Sequence, residues 1–359
     1  MNALRRQDLW QRLREAALVE GDMPEPDAAS APWYVRAMLG AAGWIGALFL
    51  LGFVGAGFVW VMESASASFV VGALTCAGAT AIFRLRAEGD FAAQFGMAVS
   101  LAGQAMMVFG LAQWFERSLT GMALAVALQQ GLLFVLVPNF IHRCWTSWTA
   151  ASAAALALAG AGLPGFVPAA LTAALVWIWL SEFDQAERGA LLRAGGYGMA
   201  LAAVQSTMLH GELWALWILG RGTHGALGGE TALWLGRLAS GAVLVWAVLR
   251  LLRREGVPLQ DSRARVALGG AALLALISLR APGVGPAVAI LVIGHANGNR
   301  VLAGLGILSL LGYLANYYYS LQATLLVKSA LLASAGIALL AARLAMRRWW
   351  PEAPEVQRA

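Results

Sequence analysis

The chain has 359 residues, of which 60% are hydrophobic and only 12% charged, with a formal net charge of +6. A soluble globular domain is about 45–50% apolar and about 25% charged, so the surplus apolar surface here must face lipid rather than water. The cations are spread between hydrophobic runs instead of gathering on one patch, which excludes nucleic acid as a partner.

Residues 1–32 are polar and mixed in charge. Within them Leu4 to Val19 sets Leu9, Leu13 and Ala16 at helical spacing between charges, which predicts a short amphipathic cytoplasmic helix. Gly21-Asp-Met-Pro-Glu-Pro-Asp then reads as a linker, because two prolines and three acids cannot continue that helix. The first apolar run begins only near Ala37, and its length suits a permanent span rather than a cleaved leader.

A span needs about 20 apolar residues. That window gives twelve runs: 37–62, 65–83, 91–115, 119–137, 145–162, 165–181, 190–209, 231–252, 265–279, 283–298, 301–320 and 322–345. The runs 265–279 and 283–298 are short, and the second is rich in Gly and Pro. They read either as two spans or as one re-entrant pair, which leaves ten spans. The fold class is therefore all-α, a polytopic transmembrane bundle over residues 33–346, followed by a basic tail at 347–359.

The cations set the orientation. With both termini inside, 20 of the 25 basic residues fall on inner segments. The outer loops hold Arg117, Arg221 and Arg280, while Arg237 and Lys328 fall within spans. This asymmetry is the positive-inside pattern, and an odd number of spans would scramble it. It implies a multi-pass membrane protein with both termini cytoplasmic.

No acidic residue sits deep in a run: Glu63, Asp90, Glu116, Glu182 and Glu230 all lie at ends. Ion-coupled transporters commonly rely on an intramembrane carboxylate. Arg237 and Lys328 each lie about six residues below the outer end of a span, roughly 9 Å deep at 1.5 Å per residue. Each is either part of a site or snorkels to the outer headgroups. Topology also brings Arg280, Asn316, Tyr317, Tyr318 and Tyr319 to the outer face, where hydroxyls and cations suit an anionic lipid headgroup, a carboxylate or a partner peptide. An aromatic belt is the alternative for the tyrosines. His295, Asn297, Asn299 and Arg300 fall at the inner face, where Gly294-His-Ala-Asn-Gly-Asn-Arg300 reads foremost as a tight turn between helices.

The glutamines Gln94, Gln104, Gln113, Gln129, Gln130 and Gln205 either line a polar path or hydrogen-bond between helices. The histidines make no metal-ligand spacing, Cys76 and Cys144 read as free thiols, and no motif implies a cofactor or a catalytic residue.

The block from Arg280 to Arg343 carries more specific features: Ala296-Asn-Gly-Asn-Arg300, Tyr317-Tyr-Tyr-Ser-Leu, and Thr324-Leu-Leu-x-Lys328-Ser. In these it resembles the C-terminal half of bacterial multi-span membrane proteins known only as a domain of unknown function, the four-four-zero-one family. Over residues 37–250 mostly the rhythm of spans agrees. The resemblance implies an inner-membrane protein without an established activity. It also implies a small membrane-anchored partner protein carrying a Gly-Asp-Tyr motif, with Arg280, Tyr317, Tyr318, Tyr319 and Lys328 as the residues to test first. Three functions stay open. The first is a non-enzymatic scaffold that binds another membrane protein or an anionic lipid at its outer face. The others are a transporter or lipid translocase, and an embedded enzyme acting on a lipid-linked substrate.

Overall fold

The computed structural model describes residues 3–17, 33–57, 65–85, 90–182, 185–208 and 229–320, with isolated positions elsewhere. Lys328, the tail 347–359 and the loop carrying His210, Glu212 and His224 lie outside the described residues, as do all but isolated positions of the run 322–345.

The described residues form helices and no strands. They are α1 (Ala3–Glu15), α2 (Trp33–Gly57), α3 (Ala65–Leu85), α4 (Asp90–Trp114), α5 (Leu119–Leu136), α6 (Phe140–Gly160), α7 (Val167–Ser181), α8 (Gly189–Met208), α9 (Gly229–Arg254), α10 (Ser262–Ser278), α11 (Val284–Ala296) and α12 (Arg300–Ser320). One-turn 3-10 segments, Pro164–Phe166 and Ala186–Arg188, lead into α7 and α8. Among the described residues, six helical segments are long and apolar enough to cross a membrane: α3, α4, α5, Pro164–Ser181, α9 and α12. Large apolar side chains such as Leu74, Leu128 and Leu311 on these helices, Phe49 on α2 and Leu273 on α10 stay exposed. Such a surface is stable only against lipid or another apolar surface.

Capping residues set the helix boundaries more sharply than the apolar runs do. Asn139 caps α6 by accepting from His142 N at 3.0 Å, so that helix starts at Phe140 rather than near Trp145. Asp261 caps α10 by accepting from Arg263 N at 2.9 Å. That backbone hydrogen bond holds its carboxyl below the usual carboxylate range. At the other end, α11 closes on Gly298, at φ +64°, with Asn299 N donating to Gly294 O and Gly298 N to His295 O. This is a Schellman closure, and the left-handed residue in it favours glycine.

The chain divides into two compact units, 1–64 with 70–106, and 65–69 with 107–359. In the first, the α2 indole of Trp44 donates to Gln94 Oε1 on α4 at 3.0 Å. Gly103 of α4 lies against the backbone of Gly72 and Cys76 on α3, where a Cβ would meet Gly72 O at 2.7 Å.

The second unit packs α6, α7, α8, α9, α11 and α12 around Leu175, Trp179, Ile290, Ile293 and Leu302, all fully or almost fully buried. Small residues let these helices touch. Gly236 of α9 rests on the backbone of Gly165, and Gly306 of α12 on the backbone of Leu291. In lipid such close approach replaces the hydrophobic effect as the glue between helices. α11 has 13 residues, about 20 Å at 1.5 Å each, against a hydrocarbon core of about 30 Å. Its N-terminal half is buried nearly all round.

A Cβ on Gly236 would overlap the Gly165 backbone, whereas one on Gly269 of α10 meets nothing within 4 Å. We expect Gly236→Ala to destabilise the protein by about 1–3 kcal/mol. Gly269→Ala is expected to be neutral or stabilising by up to about 1 kcal/mol. Unfolding in mixed detergent micelles measures both, and equal effects at the two positions would contradict this packing.

Candidate functional site

Among the described residues, Arg237, Arg280, Asn316, Tyr317, Tyr318 and Tyr319 gather at the ends of α9, α10 and α12. Arg237 donates from Nη1 to Leu279 O at 3.5 Å, next to Arg280, and its guanidinium carbon stands 5.2 Å from the Trp234 ring centroid. Arg280 is exposed in the turn after α10. In the same connection, Gly283 lies directly under the ring of Tyr313, which leaves no room for a Cβ. Tyr313 stacks on Tyr317 at 6.0 Å, and Tyr318 meets Tyr319 edge-on at 5.6 Å. Asn316 Nδ2 donates to Met208 O on α8 at 3.0 Å. Tyr317 and Tyr319 remain 39% and 80% exposed.

The opposite end of α12 holds the other predicted group, and there the structure builds more than a turn. Asn297 Nδ2 donates to Trp179 O at 3.0 Å, and Arg254 Nη1 donates to Asn297 Oδ1 at 2.7 Å. Asn299 Oδ1 accepts from Leu302 N at 3.1 Å and caps α12. The Asn299 side chain is also bonded to the Tyr197 hydroxyl, with contacts of 2.9 and 3.1 Å. Asn297 and Asn299 thus tie together the ends of α7, α9 and α11, the first half of α8 and the start of α12. His295 and Arg300 are exposed beside this knot.

A cavity of about 320 Å³ opens at the same place. Trp179 and Tyr197, edge-on at 5.1 Å, belong to its apolar wall. Asn297, Asn299, Arg300, Arg193 and Glu182 supply the polar lining. Glu182 ends α7 with its side chain only 7% exposed, and Arg193 Nε donates to its Oε1 at 2.9 Å. A buried carboxylate is costly unless paired, and this ion pair satisfies it.

Sequence reasoning located the Asn297–Arg300 turn but not its partners. Glu182 was legible as an acid at a span end, and Arg193 as a cation one connection later. An acid and a cation flanking a short connection are the available signal for such a pair. Gln205 accepts from Trp148 Nε1 at 2.6 Å and Ser152 Oγ at 3.3 Å, so this glutamine bonds between helices. Among the described residues, no group of three or more His, Cys, Asp or Glu stands together to hold a metal ion.

Apolar helices of spanning length, an all-helical bundle and polar side chains bonded across helix ends define a membrane-type helical protein. The sequence model of the family described as Domain of unknown function (DUF4401) matches residues 32–349. The chain belongs to that family. No curated protein matches it, and no solved structure does.

The Asn299–Tyr197 pair yields a direct test. Asn299→Ala removes a helix cap and this bond, and is expected to cost about 1–2 kcal/mol. Tyr197→Phe removes the bond alone. In a double-mutant cycle followed by denaturation in micelles, the two should couple by about 0.5–1.5 kcal/mol. Strict additivity would contradict the contact.

Proposed function

We propose that this is a non-enzymatic scaffold of the bacterial inner membrane that binds a small membrane-anchored partner protein at its outer end. In this reading the chain crosses the membrane twelve times with both termini cytoplasmic, as the basic residues imply. The observation that carries it is the contact chain at the far end of α12. Arg237 anchors the turn that presents Arg280, that turn lies under Tyr313, and Tyr313 stacks on the exposed Tyr317. Tyrosine and arginine on a rigid support lose little entropy on binding and dominate many interfaces. The polar side chains Asn316 and Arg237 are engaged with neighbouring backbone, which holds this surface in place rather than supplying a reactive group.

A second reading has one specific support. α11 is short and buried, and interrupted helices at the centre of a bundle often mark transport sites. A solute flux in proteoliposomes that stops when Gly283 is replaced would favour a transporter or lipid translocase.

The docking reading is tested by purification from native membranes into lipid nanodiscs, with mass spectrometry of what accompanies the wild type, Arg280→Ala, Lys328→Ala and the pair Tyr317→Ala with Tyr319→Ala. We expect a stoichiometric small membrane protein with the wild type, reduced at least about tenfold with the tyrosine pair. Equal recovery with every form, or no stoichiometric protein with the wild type, would overturn the reading.

A further inference from the structure

The cavity beside the Asn297–Arg300 turn is independent of outer-end docking, and its chemistry is that of an anion site. It encloses about 320 Å³, the lower end of the range for pockets that hold small molecules. Among the described residues the acid on its wall is Glu182, which is buried and already paired. Cations are in excess. Arg193 and Arg300 line the cavity, and Arg254 reaches the same turn through Asn297. Arg193 remains 60% exposed although its Nε is tied to Glu182. The buried carboxylate thereby fixes the arginine in place before any ligand arrives, which lowers the entropic cost of binding.

The remaining polar lining is rich in donors. The Asn299 amide nitrogen carries a second N–H beyond the one it gives to the Tyr197 hydroxyl, and the guanidinium groups of Arg193 and Arg300 carry more. Donors therefore come from α8 and from the turn ahead of α12, in different directions. A tetrahedral phosphate offers oxygens to several directions at once, which a planar carboxylate does not, and guanidinium groups match it well. The position agrees with this chemistry. α7, α9 and α11 end here while α8 and α12 begin, so in a bilayer the cavity lies at the level of the headgroups.

We infer that this cavity binds a phosphate group through Arg193 and Arg300, presented by the headgroup of an anionic phospholipid or as free phosphate. The test uses the full chain in nanodiscs of neutral phosphatidylcholine. Short-chain phosphatidylglycerol and inorganic phosphate are titrated separately and together, and native mass spectrometry counts what is bound. Arg300→Ala, on an exposed side chain, and Arg193→Lys, which keeps a cation opposite Glu182, probe the site. Arg265→Ala, exposed at the start of α10 and not lining the cavity, controls for diffuse attraction.

The expected result is one saturable site, weakened about tenfold or more by Arg300→Ala and by Arg193→Lys, and unchanged by Arg265→Ala. Phosphatidylglycerol that phosphate does not displace identifies the lipid as the source, and phosphate that binds alone identifies the free ion. Either supports a phosphate site. Absence of saturable binding of both probes to the wild type would overturn it. So would an equal loss in Arg265→Ala and Arg300→Ala.

Discussion

Inside a hydrocarbon layer a polar group left without a partner in the protein is costly, and much of this structure follows from that constraint. Backbone groups meet it by forming helices. Buried hydroxyls meet it by folding back on their own helix: Thr146 donates to His142 O, Thr172 to Pro168 O and Ser278 to Leu274 O, each at 2.7–2.9 Å. Others bridge helices, as Thr207 and Ser309 do at 2.9 Å. Because lipid provides no hydrophobic drive between helices, contact area comes from glycines such as Gly236 and Gly306, which let one backbone rest on the next.

The same requirement pushes charge to the ends of the bundle and gives the two ends of α12 different characters. At its start, Asn297, Gly298 and Asn299 close one helix, open the next and hold three others. A three-residue turn is thereby the junction of the second unit. The ion pair of Glu182 with Arg193 lies beside it, and the cations there outnumber the acids among the described residues. At the far end of α12 the exposed groups are tyrosines, held by stacking and by bonds to backbone carbonyls.

How much of this was legible in the sequence depends on the range of the interaction. The helices were legible because apolar runs report burial in lipid directly. Their limits shifted by a few residues where Asn139, Asp261 or Asn299 caps a helix, since a cap is a local hydrogen bond rather than a feature of hydropathy. The turn at Asn297–Arg300 was legible from its Gly and Asn content. Its bonds to Trp179, Tyr197 and Arg254 were not, because hydropathy fixes which segments are helices but not which helix ends meet. Arg237 and Asn316 stood out as polar groups in apolar runs. Their partners are the carbonyls of Leu279 and Met208, and a backbone acceptor leaves no trace in side-chain identity.

The two ends of α12 are chemically distinct, and the proposed topology turns the cation-lined cavity to the cytoplasm and the tyrosine-rich end outward. The most direct measurement is labelling by a membrane-impermeant maleimide of Arg300→Cys and Arg280→Cys, each in a chain whose Cys76 and Cys144 are replaced by alanine. The account predicts that Arg300→Cys reacts in inverted membrane vesicles and Arg280→Cys in right-side-out ones, each from one side alone. Reaction of both from the same side, or of Arg300→Cys from outside, would contradict it.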